Sequence, residues 1–561
     1  MTAGTFPPRL VLPPSHGVLA LIALAFVVPG LVGHDPWRAF DVLAIEVAHQ
    51  MHLTGDWIVP RIAGVPHLED PPFFHWLALA SGKAFGWALG FHNAARLASG
   101  AAVLAALWFL YLAARHFSPL TIPSGLADPK PARQAAGTAA ALLTIGSLGL
   151  IVHAHEAVPD LATLAACCAA LLFLSQAARR PVKAGLAFGA SLGVAFLSTG
   201  LMAALVFAAV ALLAHLACDE WRTRQAPRFL LPALAVFLVL ALAWPLALWL
   251  RAPEVARDWW YIATHARGDF AGNLRYYATV ASWYTWPAWP LALLSAWILR
   301  REWRSPIVFV PASAALLGLA AISWAGPQQD INATLLIAPL ALLGAQGVAR
   351  LQRGAANALD WFGVMTFTFF AGLVWLAYIA LQTGVPPKIA ANFLRAAPGF
   401  VPEFHVLPFL AALALTAGWL YLVFFTAPSA TRGVTRWAAG VALLWGCFAT
   451  LGLPWADHLK SYRGVALQLR SVIPAGAACV AQSGVGLPQL AAFSYHAGLR
   501  TVARQPPLPG APGKGDCPLL LVQGHPRQEL APGAGWRKLA DVGRPGDRGE
   551  RYRLYRYEKS R

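Results

Sequence analysis

FLLPALAVFLVLALAWPLALWL, residues 229–250, contains no charged side chain. As a helix rising 1.5 Å per residue it forms a rod of about 33 Å, enough to cross a hydrocarbon core of about 30 Å. A helix also pairs its own backbone N–H and C=O groups, which lipid cannot do for it. Runs of the same kind recur at 17–33, 97–114, 135–152, 161–177, 201–217, 361–382 and 406–425. Shorter ones lie at 184–197, 286–299, 308–322, 335–347 and 438–451, giving about 13 spans in all. The totals agree: of 561 residues, 58% are hydrophobic and 12% charged, against about 25% charged in an average soluble domain. Mean hydropathy is +0.55. One large soluble core would not divide into span-length runs with Arg-rich punctuation. The expected fold class is therefore an α-helical polytopic membrane protein.

The punctuation gives an orientation. Alternate connections carry Arg115, Lys130 and Arg133; Arg179, Arg180 and Lys183; Arg222, Arg224 and Arg228; Arg300, Arg301 and Arg304; Arg350 and Arg353; Arg432 and Arg436. The connections between them, at 153–160, 198–200 and 323–332, carry no Lys or Arg. By the positive-inside rule the N-terminus is cytoplasmic and, with an odd span count, the C-terminal segment is exported. The first run follows a single Arg9 and has no small-residue cleavage site after it, so it reads as a retained signal anchor.

Two parts follow: a membrane body over 1–455, with long exported loops at 34–93, 251–285 and 383–405, and a soluble segment over 456–561. In the second part SYRGVALQLRSVIP has helical spacing, whereas ACVAQS, LRTVAR, CPLLLVQG and ERYRLYRYE read as short strands, so a small α/β domain is expected. It holds 16 Lys and Arg against 7 Asp and Glu. On the exported side nucleic acid is excluded as a partner; anionic lipid head groups or surface glycans fit that charge, as does a plain solvated face. Cys479 and Cys517 fall in this segment, where an oxidising compartment permits a disulfide. Cys167, Cys168, Cys218 and Cys447 lie in or beside apolar spans and read as small core residues.

Residues able to do chemistry cluster after the first span. HDPWRAFDVLAIE, residues 34–46, offers Asp35, Asp41 and Glu46 at the membrane surface, although Asp35 before Pro36 also suits a helix cap. Next comes GDWIVPRIAGVPHLEDPPFFHW, residues 55–76. GDWIVP, a short Gly-containing hairpin and an acid before Pro resemble the polytopic lipid-dependent glycosyltransferases of the GT-C fold. These include the lipid A aminoarabinose transferases and the protein O-mannosyltransferases. The short loop HEAVPD, the aromatic loop LRYYATVASWYTWPAWP, the segment NALDWFGVMTF and the C-terminal domain extend the resemblance over nearly the whole chain.

The resemblance implies a sugar transferase in a bacterial inner membrane, with a polyprenyl-phosphate-linked sugar as donor and a lipid A, glycan or protein acceptor on the periplasmic face. It implies Asp41, with Asp35 in reserve, as acceptor-activating base. It assigns Glu69 and Asp160 as active-site acids, Arg96 and Arg267 as phosphate partners, and Tyr276 in the aromatic loop as a substrate contact. The chain departs from the family at four places. Phe40 stands where the family has Asp, with Asp41 at the following Glu. Asp70 and Thr199 stand where it has Lys, and Gln328, Gln329 and Asp330 occupy a Lys-rich turn. These departures leave a second reading: a degenerate paralogue that binds lipid-linked sugar or assists an active transferase. No cofactor is implied with certainty, and no metal-ligand spacing is present. His67, His75, His153, His155 and Glu156 near Glu69 and Asp160 keep a divalent metal in view.

Overall fold

The computed structural model describes residues 15–37, 39–117, 130–219, 221, 226–265, 268–325, 327–429, 431–474, 479–503, 517–528 and 532–558. Arg9, Arg222, Arg224 and Arg267 lie outside the described residues. Among those described, eight helices are long and apolar enough to cross a membrane, and four shorter apolar helices accompany them.

The chain opens with α1 (His16–Val27) and α2 (Phe40–Thr54), followed by the hairpin β1 (Arg61–Ile62) and β2 (Val65–Pro66). Helices α3 (Phe73–Leu89), α4 (Phe91–Phe117), α5 (Lys130–Ile145), the single turn α6 (Leu150–His153), α7 (Pro159–Leu174), α8 (Pro181–Thr199) and α9 (Leu201–Ala217) come next. The long α10 (Ala226–Arg251) leads to α11 (Pro253–Thr264), α12 (Phe270–Tyr284), α13 (Ala288–Ile298), α14 (Pro306–Ala325) and α15 (Ile337–Val348). The body closes with α16 (Arg353–Thr383), α17 (Pro387–Ala396), α18 (Val406–Phe425), α19 (Arg432–Cys447) and α20 (Leu453–Lys460).

Small residues set how closely these helices approach. Gly185, Gly189 and Gly193 form a four-residue stripe on α8. A Cβ on either of the first two would strike the α10 backbone, at the carbonyls of Phe229 and Ala233, and one on the third would meet Leu240. Without a hydrophobic driving force inside lipid, such close backbone contact is what holds helices together.

The GDWIVP stretch is a turn with every part in use. Gly55 adopts φ 71° and ends α2, its N–H reaching the Met51 carbonyl at 3.1 Å. This is the left-handed position for which glycine is suited. The Asp56 carboxylate accepts from the N–H groups of Ile58 and Val59. The carbonyls of Trp57 and Ile58 accept from the indoles of Trp76 and Trp244 at 2.9 and 2.8 Å. Ala63 and Gly64, both at positive φ (50° and 87°), then turn the hairpin, as a two-residue loop requires.

The C-terminal unit contains α21 (Arg463–Val472) and α22 (Leu487–Ala497) against a five-stranded sheet. Its strands are β3 (Val480–Ser483), β4 (Thr501–Ala503), β5 (Leu519–Gly524), β6 (Trp536–Val542) and β7 (Arg551–Tyr557), in the order β4-β3-β5-β7-β6. β3 is parallel to β4 and β5; β7 is antiparallel to β5 and β6. Cys479 and Cys517 are disulfide-bonded ahead of β3 and β5. The four strands legible in the sequence are present. β6 is the additional one, an edge strand with an irregularity between Lys538 and Ala540.

Candidate active site

A cavity of about 930 Å³ opens where the hairpin, the helix ends and the C-terminal unit meet. Phe40, Leu43 and Ala44 of α2 form one wall, and His67, Glu69, Asp70 and His75 another. Pro159 and Asp160 contribute from the start of α7, Thr199 and Gly200 from the α8–α9 turn, and Trp259 and Ile262 from α11. Gln329, Ile331 and Asn332 come from the turn after α14, and Leu487 and Pro488 from α22.

Each wall is held from behind. Ala63 N–H points to the buried Glu46 carboxylate at 3.4 Å, and His67 N–H bonds the Pro60 carbonyl at 2.8 Å. Thr199 and Thr163 hydroxyls meet at 2.9 Å, tying the α8 end to α7. Tyr277 donates to the Pro327 carbonyl at 2.8 Å and accepts from Asn332 Nδ2 at 2.9 Å, which fixes the turn at 327–332. Behind Phe40, His153 lies between Glu156 (2.9 Å) and Asp330 (3.8 Å). Burial alone would lower its pKa, but Asp330 and Glu156 raise it to about 9, so it is an imidazolium at neutral pH.

The chemistry of the wall is acidic. Glu69 makes no side-chain hydrogen bond or ion pair among the described residues, and Asp70 faces His67 Nε2 at 3.6 Å. Burial, with Asp70 nearby, pushes the Asp160 carboxyl up to about 7, against His153 and its own backbone N–H. No Lys or Arg lines the cavity among the described residues. His75 is buried beneath, and neither ring nitrogen has a hydrogen-bond partner. Burial, with His67 nearby, lowers its pKa to about 4 against the opposing pull of Asp70 and the Ala44 carbonyl.

The other sequence candidates sit elsewhere. Asp41 is fully buried and does not reach the cavity. Its Oδ1 accepts from Arg96 Nε (3.1 Å) and Ala157 N–H (2.7 Å), its Oδ2 from Trp37 N–H (3.0 Å) and Arg96 Nη2 (2.8 Å). Burial would raise the Asp41 carboxyl; the Arg96 guanidinium, aided by His34 and Ala157 N–H, holds it below its usual range. A carboxylate so engaged has no lone pair left facing the cavity. Arg96 is engaged in the same way: its remaining N–H groups go to the carbonyls of His34 and Asp35 and to Asn93 Oδ1. Asp35 is taken by Ser461 Oγ at 2.7 Å, with Arg463 at 3.9 Å, and is not in the wall. Tyr276 packs on Tyr277 and is likewise outside the wall. Arg267 is not among the described residues. His155 turns both ring nitrogens to the carbonyls of Phe26 (2.6 Å) and Ile151 (2.9 Å). No group of three or more His, Cys, Asp or Glu able to hold a metal occurs among the described residues.

Comparison with known proteins agrees with this architecture. No protein-family model matches the chain. The undecaprenyl phosphate-alpha-4-amino-4-deoxy-L-arabinose arabinosyl transferase of Aeromonas salmonicida is 27% identical over 463 residues, covering 78% of this chain and 76% of that one. The protein of that name from Yersinia enterocolitica is 24% identical over 443 residues, covering 76% and 74%. The crystal structure of ArnT from Cupriavidus metallidurans bound to undecaprenyl phosphate superposes with a TM-score of 0.66 at 18% identity, over 96% of each chain. The fold thus defines the class of multi-pass α-helical membrane proteins that carry a C-terminal α/β unit. Within that class the chain resembles the undecaprenyl phosphate aminoarabinose transferases, in sequence as well as in fold.

Proposed function

We propose that the protein is a bacterial inner-membrane glycosyltransferase that moves a sugar from a polyprenyl-phosphate donor to a lipid A, glycan or protein acceptor. In this reading the cavity opens to the periplasm, with the N-terminus cytoplasmic and the C-terminal unit periplasmic. The observation that carries it is the 930 Å³ cavity, which falls within the roughly 300–1,000 Å³ of small-molecule sites. Its lining of carboxyl groups, amides and Trp259 suits a sugar, whose hydroxyls need directed acceptors and donors and whose C–H face needs an aromatic surface. The named relatives and the undecaprenyl phosphate-bound neighbour support the donor class and leave the degenerate-paralogue reading without an advantage.

In the transfer, an acceptor oxygen bonds the anomeric carbon as the bond from that carbon to the phosphate oxygen breaks. The electron pair leaves with the polyprenyl phosphate. Asp160 and Glu69, at the wall, hold the acceptor and the sugar hydroxyls. The test is purified protein in lipid nanodiscs with a labelled undecaprenyl-phosphate aminopentose and lipid A. Labelled lipid A and free undecaprenyl phosphate are expected in equal amounts. Asp160→Asn should cut the rate by about 10²-fold or more, as loss of a positioned carboxylate does. Absence of any release by the wild-type protein, with this or other polyprenyl-phosphate sugars, rejects the reading.

A further inference from the structure

Resting on that reading, we propose that His67, oriented by Asp70, is the base that removes the acceptor's proton. Phe40 forms cavity wall and carries no proton acceptor. The adjacent Asp41 is sealed by four hydrogen bonds. The base therefore has to come from another part of the wall, and the hairpin supplies an imidazole beside a carboxylate. His67 is buried to 6% exposure, lines the cavity and has Nε2 3.6 Å from Asp70 Oδ2. Its backbone is pinned by the Pro60 carbonyl, so the ring has a fixed origin. A carboxylate against one ring nitrogen selects the tautomer that leaves the other as acceptor. Pairs of this kind are often loose before substrate binds.

A second observation points to a polar ligand here. His75 lies in the same wall, buried, with only the Ala44 carbonyl near its ring as a polar partner. The charged and titratable groups around His67 are Asp70 and Glu69 on its own loop, His75 on α3, Asp160 on α7 and Glu46 on α2. All but His75 are acids, which favour taking up a proton over binding a phosphate. In the step, the acceptor O–H proton passes to His67 as the oxygen bonds the anomeric carbon. The carbon–phosphate oxygen bond breaks with its electrons going to the leaving polyprenyl phosphate, and His67 then returns the proton to solvent.

The experiment is the kcat–pH profile of the nanodisc transfer assay for wild type, His67→Gln and Asp70→Asn, with thermal unfolding to verify folding. His67→Gln should lower kcat by about 10²–10⁴-fold with donor KM within a few-fold, and should abolish the fall in kcat on the acid side. Asp70→Asn should lower kcat by about tenfold or more with donor KM within a few-fold, because the ring loses the carboxylate that orients it. A folded His67→Gln protein with kcat within threefold of wild type, or with the acid-side fall unchanged, overturns the inference while leaving the transferase reading standing. A wild type that transfers nothing overturns both.

Discussion

Asp41 and Arg96 are separated by 55 residues in sequence yet form one unit in space, at 2.8 Å and with neither side chain exposed. The pair fastens the start of α2 to the start of α4 and, through Ala157 and the carbonyls of His34 and Asp35, to two loops. Removing one partner leaves a buried charge uncompensated, which costs about 3–5 kcal/mol. Arg96→Met and Asp41→Asn should each lower the unfolding midpoint in detergent by several degrees, and the double variant by less than their sum. Simple additivity of the two would show that they do not act as a pair. The pH dependence has a definite sign. The Asp41 carboxyl is depressed in the folded state, so its stabilisation is complete above the ordinary carboxylate range and is lost as pH falls through the depressed value. Sequence alone could not place this contact, and it made Asp41 look available for catalysis. One signal was legible: an Arg at the mouth of the apolar run 97–114 has to find an anion. By contrast, Glu69 and Asp160 stand in the wall, and His67, His75 and Asp70 were visible only as prospective metal ligands or as departures from a pattern.

At the scale of elements, the apolar runs translate directly into helices, because lipid leaves the chain few alternatives. The loops that follow were harder to read. β6 was hidden because WRKLADV lies at a sheet edge with no fully buried side chain and an irregular register, so it lacks the alternation that marks a strand. α3, α11 and α12 fall within the stretches read as exported loops, 34–93 and 251–285. The stripe of glycines on α8 carries more structural weight than any charged residue nearby. Gly189→Ala would press a methyl group onto the α10 backbone at Ala233, a contact no side-chain rotation can relieve. Overpacking of this kind costs about 1–3 kcal/mol, and the α8–α9 turn with Thr199 would shift with it. Gly189→Ala should therefore lose thermal stability and transfer rate together, whereas Gly372→Ala on α16, where a Cβ meets nothing within 4 Å, should lose neither. Equal behaviour of the two variants in parallel melts would remove the stripe from its packing role.

On the scale of the whole molecule, the C-terminal unit is a structural member of the site. Val42, Ile45 and Met51 of α2, Ile62 of the hairpin and Phe74 of α3 share one core with Val465, Leu469, Phe493, Tyr552 and Leu554. Polar contacts run across the same boundary: Gln50 Nε2 donates to Ser494 Oγ at 3.3 Å, and His92 Nδ1 and Tyr495 Oη lie 3.0 Å apart. The change of composition near residue 456 signals a new fold type, but it gives no hint that the apolar face of α2 belongs to both sides. Phe493 is central, fully buried with its ring 5.1 Å from that of Tyr552. Phe493→Ala should cost about 3–5 kcal/mol, as large aromatic truncations do. Because the core is shared, the loss should not stay in the C-terminal unit. Amide hydrogen exchange in nanodiscs should accelerate in α22 and β7 and also along α2, from Val42 to Met51, and transfer should slow because α2 and α22 both face the cavity. Faster exchange confined to residues beyond 456, with α2 as protected as in the wild type, would show two cores that merely touch and would detach the C-terminal unit from the chemistry.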